Sequence, residues 1–281
     1  MEERRISPEH ASGFRQYLKE EERSDATVEK YMRDITAFVS FTHEEEMSKE
    51  KVIAYKQHLI DRGYAIRSIN SMLASLNSFF TYLGWNDLKV RAMKLQQQVF
   101  CPEERELSRA EYERLCRTAE RRHQERLCLI LQTICSTGIR VSELPFITVE
   151  AAESGKAEVS LKGKTRVVFL AKDLRKKLLK YIAEHKIRGG CVFVTRTGRP
   201  VCRSNIWREM KNLCSEAAVD PRKVFPHNLR HLFARIFYGL KKDIVRLADV
   251  LGHSSVETTR IYIISTGAEH RTLLEQMHLI L

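Results

Sequence analysis

Two imidazoles four residues apart, His227 and His231, have a spacing that on a helix suits two ligands of a zinc ion. Zinc hydrolysis needs more. The metalloprotease pattern places a Glu directly after the first His as general base; here that position is Asn228, and the sequence offers no evident third ligand. No Gly-x-Ser-x-Gly elbow and no phosphate-binding P-loop pattern occurs. What is left is a set of cationic, imidazole and phenolic side chains at the ends of predicted elements. Arg140 follows Thr137-Gly138, just past a helix stop, where a guanidinium can point into a cleft. Arg230 lies three residues after His227, so both occupy one helix face. His253 follows Leu251-Gly252 at another helix stop, and Tyr262 lies nine residues further on. Guanidiniums grip anionic oxygens through paired, geometrically fixed hydrogen bonds, imidazoles carry protons, and a phenol can act as a nucleophile. Taken singly, each has an ordinary explanation: a surface Arg, a satisfied core His, an amphipathic Tyr at the edge of a core.

The charge balance points to a polyanionic partner. The 281 residues carry a formal charge of +12, but residues 1–100 hold 15 basic and 15 acidic side chains and are neutral. The whole excess lies in residues 101–281, and 151–200 alone has 13 basic against 4 acidic residues. Such asymmetry suits nucleic acid, although a solvated basic surface gives the same count. A composition of 43% hydrophobic residues excludes a disordered chain, and the apolar runs are too short to span a membrane. The opening Met1-Glu2-Glu3-Arg4-Arg5 leads into a polar stretch, so no secretory signal is expected. Seven cysteines without a Cys-x-x-Cys pair argue against a disulfide framework or a cysteine zinc site, and so for a reduced, cytoplasmic setting.

Periodicity supplies the elements that must hold these side chains. Residues 1–93 read as a four-helix bundle. Ser7-Pro8 opens the first helix, Ser24 or Asp25 the second and Ser48 the third; Gly63 and Gly84 end the third and fourth. The fourth has an unusual second face, Ser68, Asn70, Ser71, Ser75, Asn77 and Ser78, small and uncharged, which suggests a polar neighbour. Residues 94–106 read as a linker. A capping box, Ser108 with Glu111, then starts a second domain, 107–281. Its helix with Leu127, Leu129, Ile130 and Ile134 ends near Gly138, two strands turn near Gly163, and Cys191–Val194 reads as another short strand. The rest is helical, including a tail helix at 267–281. The fold class is mainly α, in two domains, with a small antiparallel sheet in the second.

In order, the clusters resemble the tyrosine recombinase (phage integrase) family, most closely its short, Xer-like members. Thr137-Gly138-Ile139-Arg140-Val141-Ser142-Glu143-Leu144 is similar to the segment bearing the family's first catalytic Arg. His227-Asn228-Leu229-Arg230-His231 resembles its His-x-x-Arg box, Leu251-Gly252-His253-Ser254 its second His box, and Thr258-Thr259-Arg260-Ile261-Tyr262 the segment ending in the nucleophile. The resemblance implies a SAM-like core-binding domain and a catalytic domain that clamp duplex DNA. It also implies attack by Tyr262 on a phosphodiester, a 3′-phosphotyrosine link and release of a 5′-hydroxyl, with no metal and no cofactor. Arg140 and Arg230 would grip the phosphate, His227 and His253 would donate or carry protons, and Glu143 would orient them. A hairpin Lys protonates the leaving oxygen in the family. Lys162 matches best, with Lys164 as the alternative, because the hairpin departs from the usual Gly-Lys-Gly-x-x-x-Arg pattern.

Contacts to double-stranded DNA carrying a specific site are expected from Lys30, Arg67, Ser71, Asn77, Lys164, Arg166 and Arg203. The tail is expected to dock on a neighbouring protomer and so build a tetramer on two sites. A non-catalytic DNA-binding protein on the same fold is the alternative from another class. A type IB topoisomerase shares the chemistry, but the N-terminal bundle and the short length favour the recombinase.

Overall fold

The computed structural model describes residues 4–43, 45–95, 106–161, 163–262 and 275–277. The chain forms two compact units, residues 1–97 and 98–281. Most of the expected linker, and all but three residues of the expected tail helix, lie outside the described residues.

The first unit contains α1 (Pro8–Glu20), α2 (Asp25–Thr42), α3 (Lys49–Asp61) and α4 (Ile66–Tyr82), followed by a 3₁₀ turn, Asn86–Leu88. Ser7 caps α1 reciprocally: its hydroxyl accepts from the His10 amide, and His10 Nδ1 accepts from the Ser7 amide. The apolar stripes meet in one core around Phe14, Phe38, Tyr55, Leu76, Phe79 and Phe80. The uncharged face of α4 does meet polar neighbours, and they belong to its own chain. Asn70 exchanges two hydrogen bonds with the backbone of Met93 (2.9 and 2.7 Å), and Asn77 does the same with Val90 (2.9 and 3.0 Å). Each amide thus clips the segment after α4 as a neighbouring strand would, at about 1 kcal/mol per bond. Ser75 donates to the buried Asp34 carboxylate (2.7 Å). Lys30 Nζ reaches the same carboxylate (2.7 Å), the Ser75 hydroxyl (2.9 Å) and the Ser71 carbonyl (2.6 Å). Lys30 and Asn77, both expected at the DNA, are thus engaged inside the unit. Arg67 and Ser71 are exposed on α4.

The second unit opens with α5 (Arg109–Arg121), capped by Ser108 and Glu111, and α6 (Glu125–Thr137). A 3₁₀ segment, Val141–Phe146, and a short α7 (Val149–Ser154) lead to the hairpin of β1 (Lys156–Leu161) and β2 (Lys164–Phe169). The strands pair from Lys156 with Phe169 to Leu161 with Lys164, and Gly163 turns between them with φ 72°. Ala157, Val159 and Val168 lie buried, so Arg166, opposite Val159, falls on the inner face. After α8 (Lys172–Glu184) the expected strand at Cys191–Val194 is reduced to two isolated bridges, Thr148 with Cys191 and Val194 with Pro200. Pro200 has no N–H to extend a ladder, which is one reason the pairing stops. Helices α9 (Arg203–Ala217), α10 (Pro226–Lys241), α11 (Ile244–Leu251) and α12 (Val256–Arg260) complete the unit, with α10 packed along α6.

Candidate active site

Helix α6 stops at Gly138 and α11 at Gly252, both in the left-handed region (φ 68° and 65°). Side chains are excluded there twice over. Besides the strained φ, a Cβ at Gly138 would land on the Phe233 ring, and one at Gly252 on the Arg166 side chain. Helix C-termini leave carbonyls without intrahelical partners and carry the negative end of the helix dipole. Arg230, from α10, places a cation between the two ends. Its Nη1 donates to Gly138 O (2.6 Å) and its Nη2 to Leu251 O (2.8 Å), while Nη2 also lies 2.7 Å from His253 Nε2. The residue is 0% exposed. Burial, then repulsion from Arg140, pulls its pKa down to about 10, which leaves it charged at neutral pH. Only such a set of acceptors offsets the desolvation of a buried charge.

This contact fixes the state of His253. A guanidinium can only donate, so Nε2 must accept and the neutral ring carries its proton on Nδ1. That Nδ1–H donates to Thr259 Oγ1, 2.8 Å away. Burial, followed by the charges of Arg230, Arg140 and Arg166, holds the His253 pKa at about 4, consistent with a neutral ring.

Arg140 heads the 3₁₀ segment, and Glu143 holds it at two points. The Arg140 backbone N–H donates to Glu143 Oε2 (2.7 Å), and Nη1 donates to Oε1 (2.9 Å). Arg166 Nη2 donates to the same Oε2 (2.6 Å), and its Nη1 donates to Val250 O (2.6 Å). The Glu143 side chain is 2% exposed, that of Arg140 40%. The carboxylate therefore sits behind and the guanidinium faces solvent. Arg166, expected at the DNA, is built into this frame. Burial holds its pKa below the ordinary value, although Glu143 draws it back up.

Tyr262 follows α12 and is buried, packing with Ala234, Leu247 and Leu251. Its hydroxyl lies 3.4 Å from His227 Nε2. Arg230 Cζ lies 5.8 Å from the centre of its ring, and the His253 ring 5.3 Å away. His227 keeps an exposed face. Desolvation by its neighbours, then the charges of Arg230, Arg140 and Arg203, lower its pKa and favour a neutral imidazole that can accept a proton.

Arg140, His227, Arg230, His253 and Tyr262 are thus linked in one cluster, with Glu143 behind it. Arg203 is exposed at the start of α9, near enough for His227 to feel its charge. Lys162 lies outside the described residues, and Lys164 is the first residue of β2. Two residues named in the sequence for other reasons also join the site. Arg166 was signalled by strand alternation, which puts it in the series of Val168. His231 stacks on Tyr262, and its four-residue offset from His227 was the signal. Among the described residues no three His, Cys, Asp or Glu side chains gather as a metal site, and no helix is long and apolar enough to cross a membrane.

Two guanidiniums, two imidazoles and a phenol stand around one spot, groups that can bind an anionic ester and offer it a nucleophile. The model of the phage integrase family matches residues 105–269, and that of the phage integrase N-terminal SAM-like domain matches residues 11–87. The tyrosine recombinase XerA of Pyrococcus furiosus is 27% identical over 290 aligned residues, covering 100% of this chain and 98% of that protein. Among solved structures, XerH site-specific recombinase bound to difH substrate superposes with TM-score 0.68 at 17% identity, over 95% of this chain and 84% of that one. A lambda integrase tetramer bound to a Holliday junction gives TM-score 0.73 at 19% identity, over 90% and 76%. The chain belongs to the phage integrase family, as a Xer-like tyrosine recombinase.

Proposed function

We propose that this protein cuts and rejoins DNA at a specific site through a covalent phosphotyrosine. The observation that carries the reading is the approach of the Tyr262 hydroxyl to His227 beside the buried Arg230. Tyr262 Oη attacks the phosphorus and passes its proton to His227. The P–O5′ bond breaks, and the protein is left linked to the 3′ phosphate. Arg140, held by Glu143, and Arg230 bind the non-bridging oxygens, where negative charge grows in the transition state. Arg230 keeps its two helix-end carbonyls and exchanges His253 for a phosphate oxygen, which frees His253 to rotate and donate. The phosphotyrosine conserves the energy of the DNA bond, so a 5′-hydroxyl can reverse the step without ATP. The side chains supply both the charge stabilisation and the proton transfers, so no metal is required.

The test is a nicked duplex carrying the site that the protein selects from a random-sequence pool. After cleavage the short product diffuses away, and an active enzyme is trapped as a covalent protein–DNA band. Without that band, a non-catalytic DNA-binding protein becomes the better reading.

The leaving 5′ oxygen needs a proton, for which the hairpin offers Lys162 and Lys164. Lys162→Ala is expected to slow cleavage of normal DNA by about 10²-fold or more, as for loss of a general acid. A 5′-bridging sulfur, which leaves without protonation, should restore the rate. If Lys164→Ala shows the sulfur rescue instead, the acid lies two residues further along.

The working assembly proposed here is a tetramer on two sites, joined by the tails. Leu273, Leu274, Met277, Ile280 and Leu281 recur at mostly helical spacing, and the lambda integrase neighbour is a tetramer on a Holliday junction. Truncation after Thr266 should leave single-site binding within about two-fold, because the phosphate and base contacts are retained. Cooperative assembly and recombination should be lost. Full-rate recombination by the truncated protein, in a gel assay for synaptic complexes, would show that the tail acts within its own subunit or not at all.

A further inference from the structure

Tyr262 follows a helix of only five residues, α12, too short to hold a side chain by its own backbone. Packing must fix the ring. One contact stands out in geometry. The His231 imidazole lies nearly parallel to the phenol, with centroids 4.2 Å and planes 28° apart. The other side of the arrangement is also defined: His231 meets His227 edge to face at 4.7 Å and 86°, and His227 meets Tyr262 at 5.4 Å and 61°. The three rings form a closed triangle in which His231 supports both the nucleophile and its proton acceptor. The reaction proposed above gives His231 no chemical task. Burial, then the charges of His227, Arg230 and Arg235, push its pKa to about 4, so the platform is uncharged at neutral pH. It therefore offers a flat face without competing for the phosphate.

We propose that His231 is a positioning residue that holds the Tyr262 ring by stacking, so that the hydroxyl stays aimed between His227 and the phosphorus. The inference rests on Tyr262 being the nucleophile. Offset aromatic pairs contribute modestly, but a misplaced nucleophile loses rate steeply, so the effect belongs in the chemical step.

The experiment compares His231→Phe, which keeps a flat aromatic face, with His231→Leu, which fills similar volume without one. Both are made in the full-length protein and assayed on the selected nicked duplex in single turnover at saturating DNA, beside Tyr262→Phe. His231→Phe should form the covalent complex within about three-fold of the wild-type rate, and His231→Leu about ten-fold more slowly, with DNA affinity unchanged in both. Equal rates for both variants and the wild type would overturn the proposal. So would equal slowing of both, which would assign the role to a ring nitrogen, or a joint loss of DNA affinity and melting temperature, which would make His231 merely structural. Cleavage by Tyr262→Phe would instead sink the nucleophile assignment, and the two failures are told apart in one gel.

Discussion

Tyr262→Phe is expected to bind its DNA site within about two-fold of the wild type and to form no covalent complex. The substitution removes one oxygen, whose approach to His227 Nε2 is 3.4 Å, and leaves the ring packed on His231 and beside Arg230. Loss of so long a contact should cost stability less than about 1 kcal/mol. Loss of the nucleophile is a different matter, because no other group stands in its place. The rate should fall by at least about 10⁴-fold, as when a covalent nucleophile is deleted from other enzymes. The measurement is the covalent band on the nicked duplex, followed over hours, with binding checked by gel shift. Residual cleavage above that level would move the nucleophile elsewhere, with Tyr238 the nearest candidate in sequence.

Glu143→Ala should be the most damaging change among residues proposed not to touch DNA. The carboxylate receives three hydrogen bonds, from the Arg140 amide, the Arg140 guanidinium and the Arg166 guanidinium. Removing it leaves Arg166, whose side chain is only 15% exposed, beside Arg140 with no shared counter-charge. Breaking a buried pair costs about 3–5 kcal/mol, and the lower figure applies here because Arg140 can turn to water. Thermal unfolding of the catalytic unit should shift down by roughly 6–12 °C. Cleavage at a temperature where the variant is folded should still fall about 100-fold, since Arg140 loses the fork that aims it. Glu143→Gln, which keeps the shape and one oxygen acceptor, should fall between the two proteins in both measurements. A Glu143→Ala protein that melts and cleaves like the wild type would show that Arg140 is positioned by something other than this carboxylate.

What an amino-acid sequence determines by itself depends on the range of the forces involved. Helix boundaries are local, and the sequence carried them well. Ser7, Ser48 and Ser108 cap their helices because a hydroxyl two or three residues from an open amide needs no tertiary partner. Gly138 and Gly252 end theirs because left-handed backbone favours a residue without a Cβ. The candidate site was legible for the same reason: Arg140, His227, Arg230 and His253 stand at or near these local signals, in segments whose order resembles a known family.

What the sequence could not supply is which polar side chain faces which. A strand of Lys, Thr and Arg reads as solvated, yet the pairing of Val159 with Arg166 turns that guanidinium inward onto Glu143 and Val250, 84 residues from the latter. Asn77 looked available to DNA until the chain after α4 folded back onto it. His231 has no assigned partner once the metal reading is set aside, and Tyr262, 31 residues later, lies on its face. In each case the side chain's type determined that it needed a polar or aromatic partner. Only the tertiary fold chose among the several partners, because contacts that close long loops depend on packing that no local pattern encodes.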